Sequence, residues 1–224
     1  MRKDQYEQLC EALSGHVEPD DYPKSTICNL YYDTPDYYLI RRSLEKPVYK
    51  EKFRLRIYGT PSEDNPVFME IKKKYKGVVY KRRVCTGARD AIEYLAGGPE
   101  PNVNDQQIMD EIRWFARRYP LQPAMFLAYD RLAYRAINDP NLRITFDRNI
   151  RFRTEQMDFF HGDWGERLLP PDLVLMEIKI PGAAPLWLTE ILSDLRIYPT
   201  TFSKYGRCYQ KMLQKQTKGE DNIA

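Results

Sequence analysis

Apolar and polar residues alternate along several segments of the chain, and a period of two residues predicts strands. The clearest segment is Tyr49–Tyr58, where Phe53, Leu55 and Ile57 alternate with cationic side chains until Gly59 ends the run. The same pattern predicts further strands over residues 25–32, 66–74, 78–86, 125–136, 142–153 and 173–180.

Segments between these strands carry apolar residues at the spacing of a helix. That spacing predicts helices over residues 4–13, 88–96, 105–119, 185–195 and 204–216. Asn104 is the expected N-cap of the helix that begins at residue 105. The pair Lys76 and Gly77 is typical of a two-residue hairpin turn, because glycine accepts the positive φ that such a turn needs. Together these elements predict an α+β fold, a single domain over residues 1–224 with an antiparallel sheet and helices packed outside it.

The charges on the predicted strands concentrate on one face, because residues two apart in a strand point to the same side. Four cations share a face in the strand over residues 49–58, namely Lys50, Lys52, Arg54 and Arg56. If the hairpin turn has two residues, Lys72 faces Lys81 and Glu70 faces Arg83. Facing like charges destabilise a sheet by roughly 0.2–1 kcal/mol, and an anion between them would reverse that effect.

Three later strands show the same segregation of charge. The side chains that share a face are Arg131 with Arg135, then Arg143, Thr145, Asp147, Asn149, Arg151 and Arg153, and finally Glu177 with Lys179. For any one strand, a solvated outer face is the ordinary explanation. Five such strands together favour an antiparallel β-barrel whose cationic lumen holds a strongly anionic ligand. Arg and Lys suit phosphate, and Glu70 and Glu177 are the candidate oxygen ligands of Mg²⁺ or Mn²⁺.

Composition limits the possible functions. The formal net charge is only +3, which is low for a nucleic-acid coat, so no nucleic-acid partner is predicted. No apolar run reaches the ~18 residues that a membrane span needs, so no membrane segment is expected in this chain. The cysteines are far apart, which argues against a zinc site and favours reduced, mostly buried thiols in a cytoplasmic protein. They are Cys10, Cys28, Cys85 and Cys208.

The sequence lacks the motifs of the common nucleophilic and nucleotide-binding sites. No G-x-x-x-x-G-K-[ST], G-x-S-x-G or H-E-x-x-H pattern occurs in it. A site that works through charge and a bound metal is therefore favoured over one that uses a side-chain nucleophile.

Eight short segments resemble the VTC domain, the polyphosphate polymerase domain of the triphosphate tunnel (CYTH-like) superfamily. They are LYYDTP at 30–35, KFRLRIYG at 52–59, FMEIK at 68–72, VYKRR at 79–83, YDR at 129–131, FDR at 146–148, LMEIK at 175–179 and FSKY at 202–205. Each is weak alone, but they occur in the order of the family and cover most of the chain. The resemblance implies a triphosphate tunnel, an antiparallel barrel that binds ATP, triphosphate or polyphosphate together with a metal.

The resemblance also implies roles for individual residues. The implied catalytic phosphate ligands are Arg54, Arg56, Lys72, Lys81, Arg131, Arg143 and, at the mouth, Lys204. Further candidate substrate-binding residues are Arg41 or Arg42, Lys52, Arg83 and Lys179. Glu177 is the implied metal ligand, and Glu70 is the second candidate.

The family implies ATP-dependent polyphosphate synthesis, and two other functions remain open. Members usually open with a strand of alternating Glu and Lys before the first helix, and this chain starts almost at that helix, so the first strand is expected to be missing. A missing strand would remove a lysine and one or more carboxylates from the site, which favours a polyphosphate-binding module without catalysis. A triphosphate hydrolase of the same superfamily is the other alternative.

Overall fold

The computed structural model describes residues 1–61 and 65–220. The helices are α1 (Lys3–Ala12), α2 (Tyr38–Leu44), α3 (Ala88–Leu95), α4 (Gln106–Arg118), α5 (Leu186–Asp194) and α6 (Lys204–Glu220). The strands are β1 (Val17–Asp33), β2 (Tyr49–Tyr58), β3 (Pro66–Tyr75), β4 (Val78–Gly87), β5 (Gln122–Ala136), β6 (Asp139–Arg153), β7 (Glu166–Arg167) and β8 (Leu175–Lys179). The fold is α+β, as the hydrophobic pattern predicts.

The strands form one eight-stranded sheet in the order β4-β3-β2-β1-β5-β6-β7, and β8 pairs with β6. The pairings of β2 with β1 and β3, of β3 with β4, and of β6 with β7 and β8 are antiparallel. Closure into a barrel and the absence of a first strand both stay predictions. None of the helices over residues 1–61 and 65–220 is both long and apolar enough to cross a membrane.

The hairpin of β3 and β4 is confirmed with its predicted register. Lys76 and Gly77 have φ values of 45° and 87°, so both occupy the left-handed region that a two-residue turn of this type requires. Consequently Lys72 lies opposite Lys81, and Glu70 lies opposite Arg83.

The chain divides into two compact units. The first contains Met1–Thr26, Tyr129–Ile150 and Leu169–Thr201, and the second contains Ile27–Ala128, Arg151–Leu168 and the chain from Phe202 onward. Three strands, β1, β5 and β6, contribute residues to both units. The single domain expected from the sequence stays a prediction.

Each unit has its own apolar core. In the first unit α1 and α5 pack on β6, and Leu9, Phe146 and Leu188 lie in the core. In the second unit α3 and α4 cover the apolar face of β2, β3 and β4, and the rings of Phe53 and Phe115 stack with centroids 5.7 Å apart. The opposite face of these three strands is therefore left for the charged side chains.

Several local predictions differ from the structure. The N-cap of α4 is Asp105, whose carboxylate accepts a hydrogen bond from the Ile108 amide, and not Asn104. The strand predicted over 25–32 starts at Val17, and the pattern missed α2 and β7 altogether. The thiols are free, and Cys28 and Cys208 are buried, but Cys85 is exposed on β4 and Cys10 is only half-buried.

Candidate phosphate-binding site

The charged side chains of β2, β3 and β4 lie in register on one face, which we call the charged face. The strand pairings place Arg54, Glu70 and Arg83 in one row across the three strands. Lys52, Lys72 and Lys81 form the next row, and Lys50 and Lys74 lie beside each other in the row after that. With Arg56, the charged face carries eight cations and one carboxylate.

The positive charges of this face act on one another. Burial and the neighbouring Lys72, Lys50 and Arg54 lower the pKa of Lys52 to about 8, although Tyr31 opposes the shift. The Lys52 ammonium donates a hydrogen bond of 3.0 Å to the Ser203 hydroxyl. The lowered pKa means that burial and the neighbouring cations destabilise the positive charge of Lys52 in the folded protein. A bound anion would stabilise that charge.

The cations of β2 also affect Tyr31, which lies on the neighbouring strand β1. Burial alone would raise the pKa of its hydroxyl, but Arg54, Lys52 and Arg56 together lower it. The Arg54 guanidinium donates to the Tyr31 hydroxyl at 3.0 Å. Because a lowered phenol pKa reflects stabilisation of negative charge, this position attracts anions.

Glu70 is the single carboxylate of the charged face, and its oxygens lie close to two cations. Arg54 donates to Oε2 at 2.6 and 2.9 Å, and the Lys81 ammonium lies 3.0 Å from Oε1. Burial would raise the pKa of Glu70, but Arg54, Arg56 and Lys81 lower it to about 2. Glu70 therefore stays ionised and holds Arg54 and Lys81 in place.

One further contact orients Arg56, and another brings two of the family-like segments together. Arg56 donates to the Asn29 side-chain oxygen at 2.8 Å, and Asn29 is fully buried. The rings of Tyr31 and Tyr205 stack with centroids 4.3 Å apart, and the Tyr205 hydroxyl donates to Asp33 at 2.9 Å. The segments at 30–35 and 202–205 thus meet beside the charged face.

The first unit contains a separate group of charged residues on β5, β6 and β8. Arg131 donates two hydrogen bonds to the buried Asp147, of 2.7 and 2.8 Å. The Glu177 carboxylate lies 3.8 Å from the Arg131 guanidinium and is 50% exposed. Arg143 lies opposite Lys179 in the strand register and forms an ion pair with Asp20.

The remaining predicted substrate ligands lie on helices. Arg41 and Arg42 are exposed on α2, where Arg41 pairs with Asp36 and Arg42 pairs with Glu45. Lys204 is the first residue of α6 and follows Ser203, the hydrogen-bond partner of Lys52. The structure does not choose between Arg41 and Arg42, since both are about half exposed and paired within their own segment.

The row of polar residues predicted along β6 is interrupted. Asn149 has a φ of 49°, a left-handed conformation that disturbs the alternation of side chains. Beyond it, Arg153 is buried and donates to the backbone oxygens of Gln156, Asp158, Gly162 and Trp164. Arg151 is held by Asp163. These two arginines organise the loop after β6, so they do not extend the cationic row.

The sequence interpretation missed Asn29 and Tyr31, which contact two of the arginines. The signal was present, because both are polar positions two residues apart in a predicted strand.

A divalent metal fits the donor set at Glu177 better than at Glu70. No three Asp, Glu, His or Cys side chains within residues 1–61 and 65–220 are grouped so that they could hold a metal ion. Mg²⁺ is commonly bound by one or two carboxylates together with waters and substrate phosphates. The half-exposed Glu177 suits that arrangement, whereas a metal at Glu70 would have to displace Arg54 and Lys81.

Three solved structures are similar to this chain at low sequence identity. A candidate adenylate cyclase from Bacillus halodurans matches with a TM-score of 0.55 and 15% identity, over 91% of this chain and 89% of that one. The PH1819 protein from Pyrococcus horikoshii has a TM-score of 0.45 and 15% identity, over 92% and 94% of the two chains. A candidate adenylyl cyclase from Hippeastrum, described as having a dominant triphosphatase activity, has a TM-score of 0.36 and 13% identity, over 64% and 66%. The first match shows a similar α+β fold.

The family follows from the sequence itself. A model of the VTC domain matches residues 1–213, so the chain belongs to the VTC domain family, and the resemblance seen in its motifs is confirmed. No curated protein matches the chain significantly.

Proposed function

We propose that this chain is a polyphosphate polymerase domain that transfers the terminal phosphoryl group of ATP to a polyphosphate chain. The proposal includes the architecture of the family, an antiparallel tunnel lined by cations. The observation that carries it is the charged face, where eight cations in register are accompanied by one carboxylate. A face with this excess of positive charge, held against mutual repulsion, is suited to an elongated polyanion.

The cations would bind and orient phosphate oxygens. In the second unit, Arg54 and Arg56 are fixed by Glu70, Tyr31 and Asn29, so their guanidinium groups are preorganised for bidentate hydrogen bonds. The other proposed phosphate ligands are Lys52, Lys72, Lys81, Arg83, Arg131, Arg143, Lys179 and Lys204, with Arg41 or Arg42.

Glu177 is the proposed protein ligand of Mn²⁺ or Mg²⁺, and Glu70 is the second candidate. A bound metal would polarise phosphoryl oxygens and neutralise charge that develops during transfer. We assign Glu70 the additional role of positioning Arg54 and Lys81, because both cations lie within ion-pair distance of it.

The proposed reaction needs no side-chain nucleophile. A terminal phosphate oxygen of the chain, already anionic, would form the new bond to the γ-phosphorus of ATP. The bond from that phosphorus to the β–γ bridging oxygen would break, and ADP would leave with the bonding electrons. Catalysis would then consist of alignment and charge stabilisation by fixed cations, which agrees with the lack of nucleophile motifs in the sequence.

The test is product analysis with ATP and Mn²⁺, in wild type and in Arg54→Gln. We expect ADP and long polyphosphate from wild type and a large loss of both in the variant. Arg113→Gln is the matched control, because Arg113 belongs to the same unit but lies on α4, away from the charged face, where it pairs with Glu100. Free phosphate without polymer would indicate a hydrolase, and binding without turnover would indicate a binding module. Either result contradicts the polymerase proposal.

A further inference from the structure

Three lysines near the turn between β3 and β4 form a cationic cluster that the proposed triphosphate site does not use. They are Lys46, Lys50 and Lys74, which we call the turn-side lysines. Lys50 and Lys74 lie side by side on the charged face, and Lys46 follows α2. The Lys76 amide donates to the Val48 oxygen at 3.0 Å, which joins the turn to the start of β2.

The positive charge of these lysines is not balanced locally. Within residues 1–61 and 65–220, no carboxylate forms an ion pair with any of the three. Partial burial and the charges of Lys74 and Lys46 lower the pKa of Lys50, whose ammonium donates to the Ser43 backbone oxygen at 3.0 Å. This contrasts with Lys73 on the other face of β3, which pairs with Glu111 at 2.9 Å.

The cluster continues the rows of the charged face. Residues two apart on a strand are separated by about 7 Å. From the row of Arg54 to that of Lys50, the cations therefore extend over about 14 Å along β2. We call the rows that contain Arg54 and Lys52 the two inner rows. Successive phosphoryl groups of a phosphate chain are much closer together than neighbouring rows, so a triphosphate on the two inner rows leaves the turn-side lysines without a phosphate partner.

The chemistry of the cluster favours inorganic polyphosphate over nucleic acid. Single-stranded nucleic acid is usually held by cations combined with aromatic side chains on which bases stack. Near the turn between β3 and β4, Tyr49 lies opposite Tyr75, and Tyr75 lies opposite Val78. These residues are on the apolar face of the strands, whereas Lys50 and Lys74 are on the charged face. A flexible chain of phosphates needs only the cations.

We infer that the turn-side lysines form an additional subsite that binds a polyphosphate chain beyond the three phosphoryl groups held on the inner rows. The inference rests on the proposed function, because it assigns to the same face a preference for chains longer than triphosphate. The subsite lengthens the path of the bound chain, so it would increase affinity for long polyphosphate and leave affinity for triphosphate unchanged.

The experiment compares binding of inorganic tripolyphosphate and of long-chain polyphosphate to the full chain. The variants are Lys50→Gln/Lys74→Gln and Lys74→Gln alone, and Lys24→Gln is the control, an exposed lysine on β1. We expect the double variant to weaken long-chain binding about tenfold, as for the loss of one or two charge-assisted contacts, with tripolyphosphate affinity unchanged. The salt dependence of long-chain binding should fall by about one unit of slope.

The outcomes separate this inference from the proposed function. Equal weakening of both ligands, or no weakening of either, overturns the inference even when the wild type makes polyphosphate. Competition by single-stranded RNA that is equally sensitive to the double substitution also overturns it. Selective loss of long-chain binding in a protein that makes no polymer would support the subsite and reject the polymerase. Lys74→Gln guards against a folding artefact, because the Lys74 side chain has no hydrogen-bond or ion-pair partner within the described ranges.

Discussion

Glu70→Gln is the substitution that most directly tests the charged face. Glu70 is 1% exposed and is the only carboxylate among eight cations of this face. Folding lowers its pKa from 4.5 to about 2, because the attraction of Arg54, Arg56 and Lys81 exceeds the opposing effect of burial. That shift corresponds to about 3 kcal/mol of folding free energy at neutral pH.

Removal of the charge should therefore lower stability by about 3 kcal/mol, or roughly 6–12 °C in Tm for a chain of this length. The sign follows from the lowered pKa: the contribution is complete above pH 4.5 and disappears as the pH falls towards 2. Wild type and variant should thus differ at pH 7 and converge in acid. Tripolyphosphate should also reduce the difference at pH 7, because it supplies negative charge to the same cations.

The assay is denaturant unfolding at pH 7 and at decreasing pH, with and without tripolyphosphate. Glu7→Gln is the control, because Glu7 pairs with Lys3 at 3.8 Å with both side chains more than half exposed, and no measurable change is expected. The reasoning is refuted if Glu70→Gln unfolds like wild type at pH 7. It is also refuted if the loss of stability is the same with and without tripolyphosphate.

Three other predictions concern separate residues. Glu177→Gln should abolish Mn²⁺-dependent turnover and spare tripolyphosphate binding; unchanged turnover would show that Glu177 is only a counter-ion. Tripolyphosphate affinity, measured calorimetrically, should fall as the pH rises through about 8, because the Lys52 ammonium loses its proton there. Lys52→Arg should make the affinity independent of pH in this range. A wild-type affinity that does not change with pH would contradict the prediction. Arg153→Ala should destabilise the protein by about 3 kcal/mol in denaturant unfolding, since it removes charged hydrogen bonds to four backbone oxygens; a change below that of Arg113→Gln would argue against it.

The candidate site could be predicted in part because strand geometry is simple. Alternation in β2 placed Lys52, Arg54 and Arg56 on one face, and the Lys76-Gly77 turn set the register that brings Lys72 opposite Lys81. Both depend only on local backbone geometry, in which side chains alternate and a two-residue turn pairs the residues beside it.

Other features depended on contacts between distant residues. The start of α2 is set by Asp33, whose carboxylate accepts hydrogen bonds from the amides of Leu39 and Ile40 and from the Tyr205 hydroxyl. The apolar pattern does not mark that helix, because the carboxylate that fixes its start lies outside it, at the end of β1. That carboxylate is itself held by Tyr205, which is 172 residues from Asp33 in the sequence. The hydrogen bonds from Arg153 to loop carbonyls could not be predicted either, because the alternation of charged and apolar residues does not show which group a charged side chain contacts.

The amino-acid sequence alone determined the family, the alternating elements and the faces on which the charges lie, because these follow from periodicity and motif order. Only the tertiary structure decided which charge meets which partner. Arg54 is held by Glu70 and Tyr31, whereas Arg131 is held by Asp147 and Arg153 by backbone oxygens. The physical reason is that an arginine in a strand has the same local pattern whether it faces a carboxylate, a carbonyl or open solvent. Its chemistry is set by neighbours that the fold brings together from distant parts of the chain.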